Sequence, residues 1–192
     1  MDEERDFFLT TPWCAKLLND PEFVPCPTPS RKYKSSTEDA LFAETLKTSN
    51  TISAITTFYR KTAPEATHVE EVRMLVSLEY GLNGWQHIAH GGIVGAILDE
   101  AMGGLATFNT RLRTHPKGGD DTPSIVDMVT AYLNVTYLKP VSTPQIVLVT
   151  ASLREIKGTK HYIDGNLKSA DGTVLAKAES LFLGLRKGKA ML

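Results

Sequence analysis

The sequence predicts an α+β fold in which one long helix lies against an antiparallel sheet, and three observations carry that prediction. Two runs rich in β-branched and aromatic residues come first, TISAITTFYRK and VRMLVSLEYG, and read as strands. From Gly91 to about Arg111 the apolar residues stop alternating. Ile93, Ile97, Ala101 and Leu105 then recur every four positions, as one face of a helix does. Three further strand-like runs follow, IVDMVTAYLNVTYLKP, QIVLVTASLREIKG and TVLAKAESLFLGL, with another strand and an Asp171-Gly172 turn inside KHYIDGNLKSADG. Two strands, a single long helix and a meander of about four strands make the pattern.

A chain of 192 residues has room for one core and an extension. The boundary falls near residue 50, giving an N-terminal extension over 1–50 and a domain over 51–192. DPEFVPCPTPSRKYK holds four prolines in fifteen residues, so it should run extended over a surface. Its flanks, TPWCAKLLND and STEDALFAETLKTS, read as short helices, the second capped by Ser36 or Thr37. Helices this short need a body to pack on. Within the domain, a turn around Ala63-Pro64-Glu65 joins the first two strands, and RTHPKGGDDTPS forms a loop after the long helix.

Composition excludes several classes of function. A net charge of −1 offers no basic face for nucleic acid, and no apolar run approaches the roughly 20 residues that span a bilayer. MDEERDFF is acidic where targeting segments are basic, which points to the cytoplasm. Cys14 and Cys26 are too few, and too close to prolines, for a disulfide framework or a zinc site.

The chemistry concentrates in HIAHGGIVGAILDEAMGG, His87 to Gly104. Glycine costs roughly 1 kcal/mol against alanine inside a helix, so five glycines between Gly91 and Gly104 need a reason. At the helix start, unpaired N–H groups and the positive end of the dipole could polarise a carbonyl oxygen that gains charge during reaction, with Gly91 and Gly92 allowing close approach. A tight turn and close helix packing would use the same glycines. Asp99 falls on a strip of small residues with Gly92, Gly95, Ala96, Gly103 and Ala106, where partial burial would suit a general base or nucleophile. Glu100, one step round the helix, should face solvent or a salt-bridge partner.

AHGGIVGAILDEAMGG followed by TAYLNVTYLKP resembles the hotdog-fold thioesterase superfamily, in particular its PaaI-like acyl-CoA thioesterase branch, from about residue 51 to the end. The resemblance implies a sheet wrapped around the central helix. It implies that the Gly91 N–H polarises a thioester carbonyl and that Asp99 acts on water as base or attacks as nucleophile. Thr130 would hold the acid or the water, and His90 would shape the turn. Asn83 and Gln86 are possible second polarisers, without either falling cleanly into register; with Gly92 and Glu100 they complete the candidate substrate contacts. It also implies a homodimer, or a dimer of dimers forming a homotetramer, with Gly91 of one subunit facing Asp99 of the other.

No cofactor is required by this chemistry. His87, His90 and Asp99 diverge in helical phase, so no metal is expected. The partner is an acyl-CoA or acyl-carrier thioester, with no nucleic acid and no membrane span. A hotdog dehydratase or hydratase and a non-catalytic acyl-binding protein of the same fold are the competing readings.

Overall fold

The computed structural model describes residues 3–63, 65–114 and 128–185. Two short helices come first, α1 (Glu3–Leu9) and α2 (Pro12–Leu18), followed by strand β1 (Phe23–Cys26). Strands β2 (Ile52–Arg60) and β3 (Glu71–Leu78) lead to a small hairpin of β4 (Asn83–Trp85) and β5 (Ile88–Ala89). Helix α3 (Gly91–Thr114) comes next, then β6 (Met128–Tyr137), β7 (Gln145–Lys157), β8 (Lys160–Lys168) and β9 (Val174–Gly184).

Helix α3 is seated by its buried face. Ile97, Leu98, Ala101, Met102 and Leu105 have no exposed surface, and they meet Met74, Val76, Val147, Val149 and Leu167 of the sheet. Leu98 and Met102 widen the apolar face beyond the four-residue repeat. Ala106 belongs to that face too, fully buried, and not to the small-residue strip beside Asp99.

The main sheet is antiparallel throughout, in the order β1-β2-β3-β7-β8-β9-β6. Only β7, β8 and β9 form the expected meander. A strand has two edges, and β3 and β8 occupy both edges of β7, so β6 pairs with β9 at the far side instead. Among the described residues one edge of β6 has no strand partner.

The proline-rich segment departs from the expected surface run by supplying strand β1, in which Phe23 lies opposite Arg60. Pro25 is tolerated there because β1 is an edge strand. Helix α2 falls where predicted, opened by Pro12 at its first turn, whereas α1 carries no signal that the sequence reading used. The second predicted helix shrinks to one wide turn at Leu41–Thr45. Thr37 and Asp39 take left-handed backbone (φ 68° and 59°), which prevents Ser36 or Thr37 from starting a helix.

The extension also buries the back of the sheet. Phe8, Cys14, Leu18 and Phe23 cover Ala54, Phe58 and Leu75, on the face opposite α3. Both faces of β2, β3 and β7 are thus covered, which explains the unbroken apolar runs MLV and IVLV in antiparallel strands. Among the described helices none is long and apolar enough to cross a membrane.

Arg31 ties the extension down. The side chain is buried and donates to Phe42 O at 3.0 Å, Ile52 O at 3.1 Å and Glu4 Oε2 at 3.1 Å. The Glu4 carboxylate in turn accepts the Ile55 N–H at 2.7 Å and meets Lys47 Nζ at 3.3 Å. Removing one partner strands the others in low dielectric. Arg31→Ala should therefore lower the unfolding free energy by about 3–5 kcal/mol in chemical denaturation; a loss of a few tenths would show that Arg31 does not anchor the extension.

Candidate active site

The start of α3 is built by the hairpin before it. Asn83 pairs with Ala89 and Trp85 with Ile88, and the turn places His87 at φ 57°. The backbone of His90 is fixed by its N–H donating to Leu82 O at 2.8 Å. A Cβ on Gly84 would come within 2.9 Å of His90 Cα, so only glycine lets the hairpin close on the histidine.

His90 caps the helix. Its carbonyl accepts from the N–H groups of Ile93 and Val94, and its Nδ1 accepts the Gly92 N–H at 3.0 Å. With Nδ1 accepting, the proton of the neutral ring sits on Nε2. The N–H of Gly92 is thereby spent within the turn. That of Gly91 has no acceptor within the described residues and lies at the positive end of a 24-residue helix.

Strand β6 covers one flank of α3. Tyr137 Oη donates to Gly91 O at 2.8 Å, and its ring lies over the hydrogens of Gly91, where an added Cβ would stand 3.4 Å from the hydroxyl. Thr130 Oγ1 donates to Asp99 Oδ1 at 2.9 Å. Positions 130 and 137 differ by an odd number and should face opposite sides of a regular strand. A bulge between Thr130 and Tyr132 resets the alternation, and both side chains reach the helix. Close packing also accounts for Gly103, whose added Cβ would meet the Phe182 ring at 3.2 Å, whereas Gly104 opens on free space.

The two acids have different surroundings. Asp99 is partly buried, and burial raises its pKa while the hydrogen bond from Thr130 pulls it down. Glu100 is half-buried instead of facing solvent freely. Ser30, Lys34 and Asp39 of the extension act on its carboxyl, and burial is the main cause that raises its pKa. Beside it the Ser30 hydroxyl opposes the shift without a well-formed hydrogen bond, the charges of Asp39 and Asp99 reinforce it, and Lys34 opposes it.

The remaining predicted residues stand apart from the acids. Asn83 Oδ1 accepts a short hydrogen bond from Thr143 Oγ1, which ties the hairpin to the segment before β7. Gln86 is exposed at the hairpin turn. Gly91 and Asp99 are eight residues apart, about 12 Å along the axis at about 1.5 Å per residue, so one chain cannot present both to a single carbonyl carbon. Among the described residues no three His, Cys, Asp or Glu side chains gather as a metal site. Tyr137, Gly84 and Ser30 escaped the sequence reading. Tyr137 stood in plain view in YLNVTY, but the bulge that aims Thr130 with it cannot be counted from residue types.

A buried Glu whose pKa is raised binds protons more tightly folded than unfolded. Its folding stability is fully present below the unfolded pKa, near 4.3, and declines as pH rises toward the folded value. Glu100→Gln should abolish that decline, raising the thermal midpoint at pH 8 relative to the unchanged chain while leaving the two alike near pH 4. Equal midpoints at both pH values would remove Glu100 from a buried setting.

Comparison with known proteins agrees with this architecture. The family model of the thioesterase superfamily matches residues 86–176, from the hairpin through α3 into β9. Verlamelin biosynthesis protein B of Lecanicillium sp. is 31% identical over 134 residues, covering 59% of this chain and 57% of that protein. The rat (Rattus norvegicus) acyl-coenzyme A thioesterase THEM4 is 27% identical over 124 residues, 63% of this chain and 47% of its own. The chain thus spans about half the length of the curated relatives it matches. Among solved structures, zebra fish thioesterase superfamily member 2 superposes with a TM-score of 0.51 at 18% identity, covering 67% of this chain and 81% of that one. A mutant hypothetical thioesterase protein from Streptococcus pneumoniae superposes at 0.52 with 15% identity, over 64% and 89% of the two chains. Over residues 86–176 the chain is similar to the thioesterase superfamily, and its architecture is the hotdog fold.

Proposed function

We propose that this protein hydrolyses an acyl-CoA or acyl-carrier thioester to the free acid and thiol. The observation that carries the reading is the Asp99 carboxylate, partly buried on α3 and held by Thr130, on the same helix as the unspent Gly91 N–H. Asp99 takes a proton from water as the water oxygen bonds to the thioester carbon. The carbonyl oxygen gains charge and is held by the Gly91 N–H at the positive end of a helix. Collapse expels the thiolate, which leaves as thiol once protonated. Asp99 could instead attack directly, giving an anhydride that water opens.

The 12 Å separation supports a site shared by two chains, with Asp99 working on a carbonyl polarised by Gly91 of the partner subunit. The unpaired edge of β6, with exposed Tyr132, Tyr137 and Leu138, suits an edge-to-edge homodimer. The extension covers the back of the sheet and so argues against a dimer of dimers stacked through that face. The His-Gly-Gly start with an acid nine positions after the histidine supports the PaaI-like branch. The unpaired thiols of Cys14 and Cys26, each raised by burial to about 12, suit a reducing cytoplasmic setting. Against a dehydratase stands His90, whose Nδ1 is committed to the helix cap.

Asp99→Asn should lower thiol release over an acyl-CoA panel by about a hundredfold or more, with folding retained; equal release would end the assignment. The ionised base is the active form, so activity falls as pH drops through the pKa of Asp99. Thr130→Ala deletes the bond that lowers that pKa, so the acid limb of kcat should move to higher pH, and an unmoved limb would separate Thr130 from the base.

A mixing experiment reports the shared site. Gly91→Pro deletes the N–H at a helix position where proline is tolerated. Mixing it with Asp99→Asn should restore about a quarter of the unmodified activity, because half the dimers are mixed and each mixed dimer holds one intact site. No restoration, or a monomeric mass by light scattering in an active sample, would place the whole site in one chain.

A further inference from the structure

Two side chains pin the peptide between Gly91 and Gly92 from its opposite ends. Its C=O accepts from Tyr137 Oη at 2.8 Å, and its N–H donates to His90 Nδ1 at 3.0 Å. The peptide before it is held at the carbonyl end: His90 O accepts from the N–H groups of Ile93 and Val94 at 2.9 and 3.2 Å, while the Gly91 N–H has no acceptor among the described residues. The direction of that N–H relative to the helix is set by the two backbone dihedrals of Gly91, and glycine restrains them least of all residues. Tyr137 grips this same residue. Its ring is in contact range as well, since a Cβ on Gly91 would stand 3.4 Å from Oη and 3.5 Å from Cε1 and Cζ.

Neither the helix nor the seating of β6 calls for the Tyr137 hydroxyl. An α-helix already offers the carbonyl of residue 91 the N–H of residue 95. Strand β6 docks through Leu133 and Val135, which pack against the core, and through Thr130 on Asp99. Tyr137 is 54% exposed, so its burial contributes little. What its bond adds is orientation. Tyr137 O–H, the Gly91–Gly92 peptide and His90 Nδ1 form one chain of hydrogen bonds whose members polarise one another. A donor that meets charge developing on a carbonyl oxygen works best when it is already aimed and needs no reorganisation.

Resting on the thioester reading above, we propose that Tyr137 is a positioning residue for the reaction: its hydroxyl, pulling against the His90 cap through one peptide, holds the Gly91 N–H on the carbonyl oxygen of the bound thioester. Tyr137 acts through the backbone and makes no bond to the substrate itself.

Tyr137→Phe keeps the ring over Gly91 and deletes the hydroxyl alone. In the full chain, kcat over the acyl-CoA panel should fall about tenfold, part of the about 10²–10³ that complete loss of an oxyanion donor costs. KM should hold, because such a donor gains its worth in the transition state. The thermal midpoint should also hold, since the side chain is exposed. An unchanged kcat, or a KM that rises at constant kcat, would overturn the positioning role.

Ketone analogues of butanoyl-CoA and hexadecanoyl-CoA, in which a methylene replaces the thioester sulfur, separate this role from hydrolysis. The isotope-labelled carbonyl of the bound analogue should stretch at a lower infrared frequency in the unchanged protein than in Tyr137→Phe, because an aligned donor weakens the C=O bond. Protein that shows this difference but cleaves no thioester would refute hydrolysis and keep the positioning role. Protein that cleaves thioesters while the two frequencies coincide would refute the role and keep hydrolysis. Protein that neither cleaves thioesters nor binds the ketones would overturn both.

Discussion

Helix α3 works under a geometric constraint from which the rest of the molecule follows: it must bury one broad face in a sheet and carry two adjacent carboxyl groups at the same height. Successive residues on a helix are about 100° apart. With Leu98 and Ala101 fully buried, Asp99 and Glu100 are left to opposite flanks of the contact. Strand β6 takes one flank and satisfies Asp99 through Thr130. The strap that joins β1 to β2 brings Ser30, Lys34 and Asp39 within electrostatic reach of Glu100 on the other. An acidic pair that looks like a local oddity in sequence is split between two structural partners, one from after the helix and one from far before it.

That division gives the N-terminal extension a purpose beyond covering apolar surface. Its helices and strand seal the back of the sheet, while its strap reaches round to the helix side. Arg31 stands where the two tasks meet, holding the carbonyls of Phe42 and Ile52 and the Glu4 carboxylate at once. A buried guanidinium with every contact oriented is costly to place, and it fixes one arrangement of the strap against many. The β6 edge is treated in the opposite way, left open and bordered by tyrosines.

The glycines of α3 divide by cause as well. Gly91 lies under Tyr137, and Gly103 lies against Phe182. Gly84, outside the helix, lets the hairpin reach His90. Glycine at 103 and 84 secures the close approach of Phe182 and of the capping histidine, and the N–H of Gly91 at the helix start has no acceptor among the described residues.

Residue order alone determined the α+β class, the long helix with its buried repeat, the strand runs, and the place of Asp99 on the helix that the His-Gly-Gly turn opens. These are local or periodic signals, and side-chain spacing is enough to state them. Tertiary structure decided what depends on distant partners. The place of β6 beside β9 follows from which strand edges remain unfilled, and the aim of Thr130 follows from a bulge that residue types do not announce. The collapse of the helix expected after Ser36 follows from left-handed backbone at Thr37 and Asp39. The surroundings of Glu100 were beyond reach for the same reason: Ser30, whose hydroxyl acts on its carboxyl, lies seventy residues earlier in the chain.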